Sequence, residues 1–308
     1  MSSSNHPVTG LPERIHDRHH RATGPGIRFQ QPGLSGLADS SSECPDPPVL
    51  SCSSAADSTD SCCVVKPGGV LVHTQFWDLD EGLSDSWGIH GLWPDECNGA
   101  TYENCDSSRA YSGSQIVEAL SNAGLQSTLD FMDTYWVSND ESPENFWAHE
   151  WSTHGTCVST LEPSCFNNYQ TAQETTLYFS TIVSLFQQLN TFDALQHAGV
   201  TPSDSKTYMY AELTTAVKSA TGYTVDFVCT GSGKTISQIQ YYLLAEGPLQ
   251  HGSFVESNPT RRGTCDSSGL RYPVKTTGGN GDEDNTESHV PHGRRRQRHG
   301  SWRDRRHH

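Results

Sequence analysis

The sequence lacks any apolar run long enough to cross a membrane as a helix. Residues 1–43 also lack the apolar stretch that a secretory signal peptide requires. No Asn-x-Ser/Thr sequon can carry a glycan, because Pro259 follows Asn258 in the one stretch that comes close. The first absence argues against a membrane-spanning helix. No export signal is visible in the sequence.

Paired Cys-x2-Cys knuckles, the usual sign of a structural zinc site, are absent as well. Ten cysteines are present, and all lie between residues 44 and 265. An even number within one region is typical of a disulfide framework in an oxidising compartment. The cysteines are stronger evidence for export than the missing signal peptide is against it. We therefore expect the first residue of the natural protein to differ from residue 1 of this sequence.

Three zones of the chain differ in composition. Residues 1–43 contain few apolar residues and many turn formers, which predicts a disordered segment. Residues 44–275 hold every cysteine and nearly all aromatic residues, which predicts one domain. Residues 276–308 begin with Gly, Asp, Glu and Asn and end in an arginine-rich run, which predicts a flexible tail with a basic end.

The predicted domain is acidic. Residues 44–275 carry 9 Lys and Arg against 27 Asp and Glu, a net charge of −18. This charge disfavours non-specific binding to a polyanion at neutral pH, where phosphate contacts dominate affinity. Near pH 4 to 5 many carboxylates approach their ordinary pKa values, and the repulsion becomes weaker.

Hydrophobic patterns predict a mixed α+β domain. We expect a central, mostly antiparallel sheet packed with helices, and the ten cysteines would staple it by about five disulfides. Strands are predicted at 70–77, 223–229 and 234–244. Helices are predicted at 114–123, 144–155 and 172–189. Because the two types of element do not alternate strictly, a doubly wound parallel sheet fits less well.

Two short segments place histidines among tryptophans and glycines: WGIHGLWP at 87–94 and FWAHEWSTHGTC at 146–157. Histidines held beside a carboxylate are suited to proton transfer near neutral or acid pH. On a helix, Glu150 and His154 share a face, so we expect the carboxylate to orient that imidazole. His90 lies next to glycine, where a backbone can approach a ligand closely.

A zinc protease is the metal alternative, because its helix carries His-Glu-x-x-His. Here five positions, not four, separate His149 from His154. That spacing puts the two imidazoles about 140° apart around a helix, which is poor geometry for holding one ion. We therefore expect no metal and no cofactor. His73 lies outside both segments, and we interpret it as structural.

Both segments closely resemble the paired active-site motifs of the ribonuclease T2 family, x-H-G-L-W-P and H-E-W-x-K-H-G-T-C, especially in secreted fungal members. The resemblance covers about residues 44–275, including the cysteine pattern with its adjacent pair at 62 and 63. It implies an endoribonuclease with little base specificity and an acid pH optimum. Attack by the 2′-hydroxyl would give a 2′,3′-cyclic phosphate, and slower hydrolysis would give a 3′-phosphate.

The resemblance also implies residue roles. His90 and His154 become the acid/base pair, with His154 as base and His90 as acid in the first step. Glu150 would stabilise the phosphorane and orient His154, and His149 would bind phosphate. One base would be held by Trp93, Asp95 and Tyr102. The second would be held by Gln75, Ser138, Asn139 and Phe146.

Five disulfides follow from the resemblance. The implied pairs are Cys44–Cys63, Cys52–Cys97, Cys62–Cys165, Cys105–Cys157 and Cys229–Cys265. The fourth pair would tie the second motif to the loop after the first, and so would fix the separation of His90 and His154.

One position departs from the family pattern, since Thr153 stands where the family has lysine. That lysine would stabilise charge on the phosphorane, and a neutral hydroxyl cannot replace it. The sequence therefore leaves two hypotheses: an active ribonuclease, or a catalytically impaired homologue that binds RNA or a protein partner. Arg109 is a candidate for the missing cation. In either case we expect a monomer with an RNA partner, no membrane association, and an extracellular or vacuolar location.

Overall fold

The computed structural model describes residues 26–28, 42–138 and 141–276. Its strands are β1 (Ile27–Arg28), β2 (Val70–Phe76), β3 (Gly88–Asp95), β4 (Val225–Thr230), β5 (Thr235–Ala245) and β6 (Ser253–Glu256). Its α-helices are α1 (Gly113–Asn122), α2 (Gln126–Tyr135), α3 (Pro143–Thr153), α4 (Gln173–Gln188), α5 (Thr191–His197) and α6 (Tyr210–Thr221).

The strands form one antiparallel sheet in which β5 is central. Strand β2 pairs with β5 along one side and with β3 along the other, so β3 lies at an edge. On its other side β5 pairs with β4 over one half and with β6 over the other half. The predicted α+β class, with its mostly antiparallel sheet and surrounding helices, is confirmed.

The two faces of the sheet differ. The main hydrophobic core covers one face, where strand residues such as Leu71 and Leu243 meet the buried side of α4, which includes Leu177 and Phe179. The other face carries a smaller cluster that includes Val72 and Tyr242. This second face has fewer apolar contacts and leaves room for a site beside β3.

Helix α3 begins at a strong N-terminal signal. The Ser142 hydroxyl accepts a hydrogen bond from the backbone N–H of Asn145, and Pro143 occupies the first turn. Trp147 and Trp151 are buried and anchor the helix in the core. Its last carbonyl, at Thr153, accepts a hydrogen bond of 2.7 Å from the backbone N–H of Asn104.

Five disulfides staple this arrangement, and they join Cys44–Cys63, Cys52–Cys97, Cys62–Cys165, Cys105–Cys157 and Cys229–Cys265. The predicted framework of about five disulfides is confirmed, and the pairs coincide with those that the resemblance implies. The Cys105–Cys157 bond joins the loop after β3 to the turn after α3. It therefore crosses the junction at which the two sequence motifs meet.

One prediction about the N-terminal segment is wrong in part. Residues 27 and 28 are not disordered but pair with Phe254 and Ser253 of β6. The exposed edge of β6 offers backbone groups that an extended segment can satisfy. The remainder of the two predicted tails lies largely outside the described residues. Within the described part of the chain, no helix is both long and apolar enough to span a bilayer.

Candidate active site

The two histidine-containing segments meet where the C-terminal half of α3 packs against β3. His90 lies on β3, Glu150 lies on α3, and His154 caps the C-terminal end of α3. The Glu150 side chain is 1% exposed and that of His90 is 18% exposed, so the site is a shallow opening over a buried carboxyl group.

Gly91 makes this close approach possible. A β-carbon at residue 91 would overlap the carboxyl group of Glu150 and lie 3.0 Å from the indole nitrogen of Trp93. The glycine is thus required by space. Without its small size, α3 could not set Glu150 against the strand.

Glu150 links the two elements through polar contacts. Its Oε2 accepts a hydrogen bond of 2.9 Å from the indole N–H of Trp93. Its Oε1 lies 3.5 Å from Nε2 of His90. A single buried carboxyl group therefore contacts the histidine and the tryptophan of the first motif.

Aromatic rings hold the imidazoles in place. The Trp93 ring meets the His90 ring edge-on at 4.7 Å and lies 5.2 Å from the His154 ring. Phe76 stacks on His90 with the ring centroids 3.9 Å apart. Phe146 lies 5.7 Å from the same imidazole. This packing restricts the rotation of His90 and excludes water from one side of it.

Burial sets the protonation of the central pair. It raises the pKa of Glu150 to about 8, although the hydrogen bond from Trp93 opposes the shift. Burial also lowers the pKa of His90 well below its ordinary value, and the charges of His154 and His149 add to the effect. At neutral and mildly acid pH the carboxyl group is therefore protonated and His90 is neutral. The proton that the pair holds resides on Glu150.

Glu150 has partners that the spacing along α3 did not indicate. The helix ends at Thr153, and His154 is its C-cap residue, whose backbone N–H still donates to the carbonyl of Glu150. The carboxyl group of Glu150 turns toward His90 and Trp93, across the junction with β3. The spacing of residues along α3 could not reveal these partners, because His90 and Trp93 belong to strand β3. His154 is itself buried, at 8% exposure.

His149 and Tyr102 are the more accessible of the predicted site residues. His149 is exposed on α3, and its charge still influences His90. Tyr102 is partly buried, with its ring close to Gly68. Both side chains are open to solvent on one side and can contact a bound molecule. Asn139 lies outside the described residues, whereas Ser138 is partly buried.

Asp95 is not a free base-binding group. Its side chain is 3% exposed and forms an ion pair with Arg261, which comes from the segment after β6. Arg261 also donates a hydrogen bond of 3.2 Å to the hydroxyl of Thr101. A ligand that approaches Asp95 therefore meets the guanidinium group too, a partner that the sequence motifs did not indicate.

The prediction that Gln75 binds a base is wrong. Its side chain is fully buried on the core face of β2, where the amide donates to the backbone carbonyl of Leu189 and accepts from the hydroxyl of Thr191. The next residue, Phe76, faces the site instead, because neighbouring strand residues point to opposite faces. The period of two along β2 could have identified Phe76 from the sequence.

His73 has a structural environment, as expected. Its ring is fully buried, and burial lowers its pKa to about 3. The Gln75 amide donates to its Nε2 over 3.2 Å. A change at His73 would therefore disturb the core, so this histidine is a poor control for catalysis.

Neither Thr153 nor Arg109 presents a cation to the site. Thr153 is uncharged and its side chain is buried, at 7% exposure. Arg109 is 3% exposed and cannot reach the site, because its guanidinium group is occupied elsewhere. That group donates to the carbonyls of Leu161 and Thr156 and pairs with Asp106 and Glu162.

Among the residues that the structure describes, no group of three or more His, Cys, Asp or Glu side chains is arranged to hold a metal ion.

Residues 52–261 match the sequence model of the Ribonuclease T2 family. Ribonuclease Trv from Hypocrea rufa is 42% identical over 228 residues, which are 73% of this chain and 95% of the relative. Ribonuclease M from Aspergillus phoenicis is 40% identical over 240 residues, 76% of this chain and 98% of the relative. The crystal structure of Actibind, described as a T2 ribonuclease, has a TM-score of 0.70 at 39% identity, covering 76% of this chain and 98% of Actibind.

The close approach at Gly91 can be tested by a single methyl group. Gly91→Ala should lower the melting temperature by about 3 to 10 °C, because overpacking typically costs about 1 to 3 kcal/mol. Gly88→Ala on the same strand is the control, since its β-carbon would meet only the Tyr135 carbonyl oxygen at 3.4 Å. Equal melting temperatures for the two variants would show that Glu150 does not lie against residue 91.

Proposed function

The chain belongs to the ribonuclease T2 family and is a T2-type endoribonuclease, and on that premise we propose how it cleaves RNA. The substrate is single-stranded RNA, with low base specificity. The 2′-hydroxyl attacks the adjacent phosphorus and expels the 5′-oxygen, which gives a 2′,3′-cyclic phosphate. Water then opens the ring to a 3′-phosphate. No metal ion takes part.

The contact of Glu150 with His90 and Trp93 is the observation that supports this proposal most strongly. It brings one imidazole and a protonated carboxyl group together, and the ring of the second imidazole, His154, lies 5.2 Å from that of Trp93. His154 takes the 2′-hydroxyl proton as general base, and His90 protonates the leaving oxygen as general acid. The roles reverse in the hydrolysis step.

His90 must carry a proton to act as the acid, yet it is neutral in the free protein. A bound phosphodiester anion favours the imidazolium form, and an acid medium does the same. Because burial lowers the pKa of His90, the active protonation state is better populated at low pH. This argument supports an acid optimum.

Glu150 acts as a neutral hydrogen-bond donor rather than as an anion. An ionised carboxylate beside a phosphorane would repel the negative charge that develops there. A carboxyl group that burial keeps protonated avoids the repulsion and can donate to a phosphoryl oxygen. His149, exposed at the edge of the opening, binds the phosphate when it is protonated.

The bases are held on either side of this centre. We propose that Trp93 and Tyr102 contact one base, with Asp95 taking part through its ion pair with Arg261. Phe146 and Phe76 flank His90 and are placed to contact the second base. The five disulfides persist in an oxidising environment, which supports an extracellular or vacuolar location. A monomeric state stays a prediction.

The reaction class has a direct test, digestion of homopolymer RNA at pH 4 to 5 with EDTA present. Cleavage should persist in EDTA and leave cyclic-phosphate ends. His90→Ala and His154→Ala should each lower kcat by about a hundredfold or more, and the double variant should be little worse, because the pair acts as a unit. His197→Ala, at an exposed histidine of α5, is the control.

Two results would contradict the proposal. Ends bearing a 5′-phosphate cannot arise from attack by the 2′-hydroxyl. A requirement for an added divalent ion would also contradict the proposed chemistry.

A catalytically impaired homologue that binds RNA or a protein partner is the second candidate. Thr153 replaces the family lysine, and Arg109 is too deeply engaged to substitute for it. The same digestion decides between the candidates, since an impaired homologue would bind homopolymer RNA without releasing product.

Thr153→Lys tests the missing cation. A lysine there stabilises the charged transition state more than the ground state, so kcat should rise about tenfold or more. The buried position predicts a stability cost of about 1 kcal/mol or more, because the longer side chain must thread outward to solvent. The measurement is kcat at pH 5 alongside the melting temperature.

Thr153→Met is the control for this test, since it adds length without charge. An equal gain from lysine and methionine would show that packing, not charge, controls the rate. No gain from lysine would show that the protonated Glu150 and His149 already supply what the reaction needs.

A further inference from the structure

One nitrogen of His90 lacks the contact that its role requires. Nε2 faces Oε1 of Glu150, whereas Nδ1 is buried and has no hydrogen bond of good geometry in the described structure. Buried polar atoms are nearly always paired, and leaving one unpaired costs about 1 to 3 kcal/mol. The second nitrogen also fixes the tautomer of the first. A partner for Nδ1 should therefore lie nearby.

Gln238 is placed to be that partner. It lies on β5 directly opposite Phe76 of β2, and residues so paired point to the same face of the sheet. The ring of Phe76 stacks on His90 at 3.9 Å. Gln238 is partly exposed, and its amide makes no other side-chain hydrogen bond within the described ranges. The Gln238 amide and the unpaired imidazole nitrogen of His90 therefore lie beside the same phenyl ring.

We propose that Gln238 is a positioning residue for the reaction, and that its amide oxygen accepts the Nδ1 proton of His90. The inference rests on the proposed role of His90 as general acid. With the proton fixed on Nδ1, Nε2 of the neutral imidazole is an acceptor that faces the protonated carboxyl group of Glu150. When Nε2 gains a proton, it is already directed toward the opening where the phosphate lies.

The electrostatic influence of Gln238 has the expected direction. Its side chain raises the pKa of His90, as an acceptor beside an imidazolium does, although burial, His154 and His149 outweigh it. The titratable groups that face His90 are Glu150, His149 and His154, and all belong to α3 or its C-terminal cap. Gln238 approaches from β5, on the other side. It can therefore be altered without changing α3.

The test compares three variants by kcat, KM and the pH dependence of kcat on homopolymer RNA. Gln238→Leu removes the acceptor, so kcat should fall about tenfold with little change in KM. The alkaline limb of its pH profile should move to lower pH, because the imidazolium loses support. Gln238→Glu keeps the size of the side chain and adds charge, so the same limb should move to higher pH.

Gln240→Leu is the matched control. Gln240 lies two residues further along β5 on the same face, opposite Thr74, where it accepts a hydrogen bond from Tyr242. We expect an unshifted pH profile for this variant. Shifts in opposite directions for Leu and Glu at 238 cannot result from a general loss of stability.

A ¹⁵N NMR spectrum of labelled histidine supplies a readout that does not depend on activity. In the unchanged protein Nδ1 of His90 should show the shift of a protonated nitrogen, and in Gln238→Leu the two nitrogens should move toward an average. If Gln238→Leu does not fold, the isosteric Gln238→Glu variant still tests the proposal. The alkaline limb of its pH profile for kcat must move to higher pH.

Two outcomes separate this inference from the proposed function. If both variants at 238 match Gln240→Leu while His90→Ala is inactive, the positioning role is overturned and the proposed function stands. If His90→Ala retains full activity, the role of His90 fails and the inference fails with it.

Discussion

The contact between the carboxyl group of Glu150 and the backbone at Gly91 is the constraint on which the site depends. It brings α3 so close to β3 that no β-carbon fits between them. The same carboxyl group then reaches the indole of Trp93 and the imidazole of His90. The disulfide from Cys105 to Cys157 crosses the same junction, so the fold holds the two motifs together covalently as well.

The charge balance of the site follows from this burial. A carboxyl group removed from water is easier to keep neutral than to ionise, and so Glu150 retains its proton. Thr153 is uncharged, and Arg109 is held by backbone carbonyls and two carboxylates away from the site. The proposed mechanism therefore uses Glu150 as a neutral donor toward the phosphate.

The sequence places the candidate catalytic residues in two compact motifs, which the fold brings together at the junction of α3 and β3, but it did not predict how they are held. Strand β3 was not predicted from the sequence, because this segment contains poor strand formers: Gly88, Gly91 and Pro94. The segment is extended because it pairs with β2. Gln75 was assigned to the second base site, although the period of two along β2 was available to show that its side chain faces the core. The pairing of Asp95 with Arg261, 166 residues away, could not be derived from local patterns.

The protonation of Glu150 is the central claim of this account, and NMR of ¹³C-labelled glutamate tests it most directly. The Glu150 carboxyl resonance, assigned by its loss in Glu150→Gln, should remain that of a protonated acid at pH 6 and titrate with a pKa of about 8. A resonance that titrates near the ordinary value of 4.5 would contradict the account. In that case the site would present an anion to the phosphate.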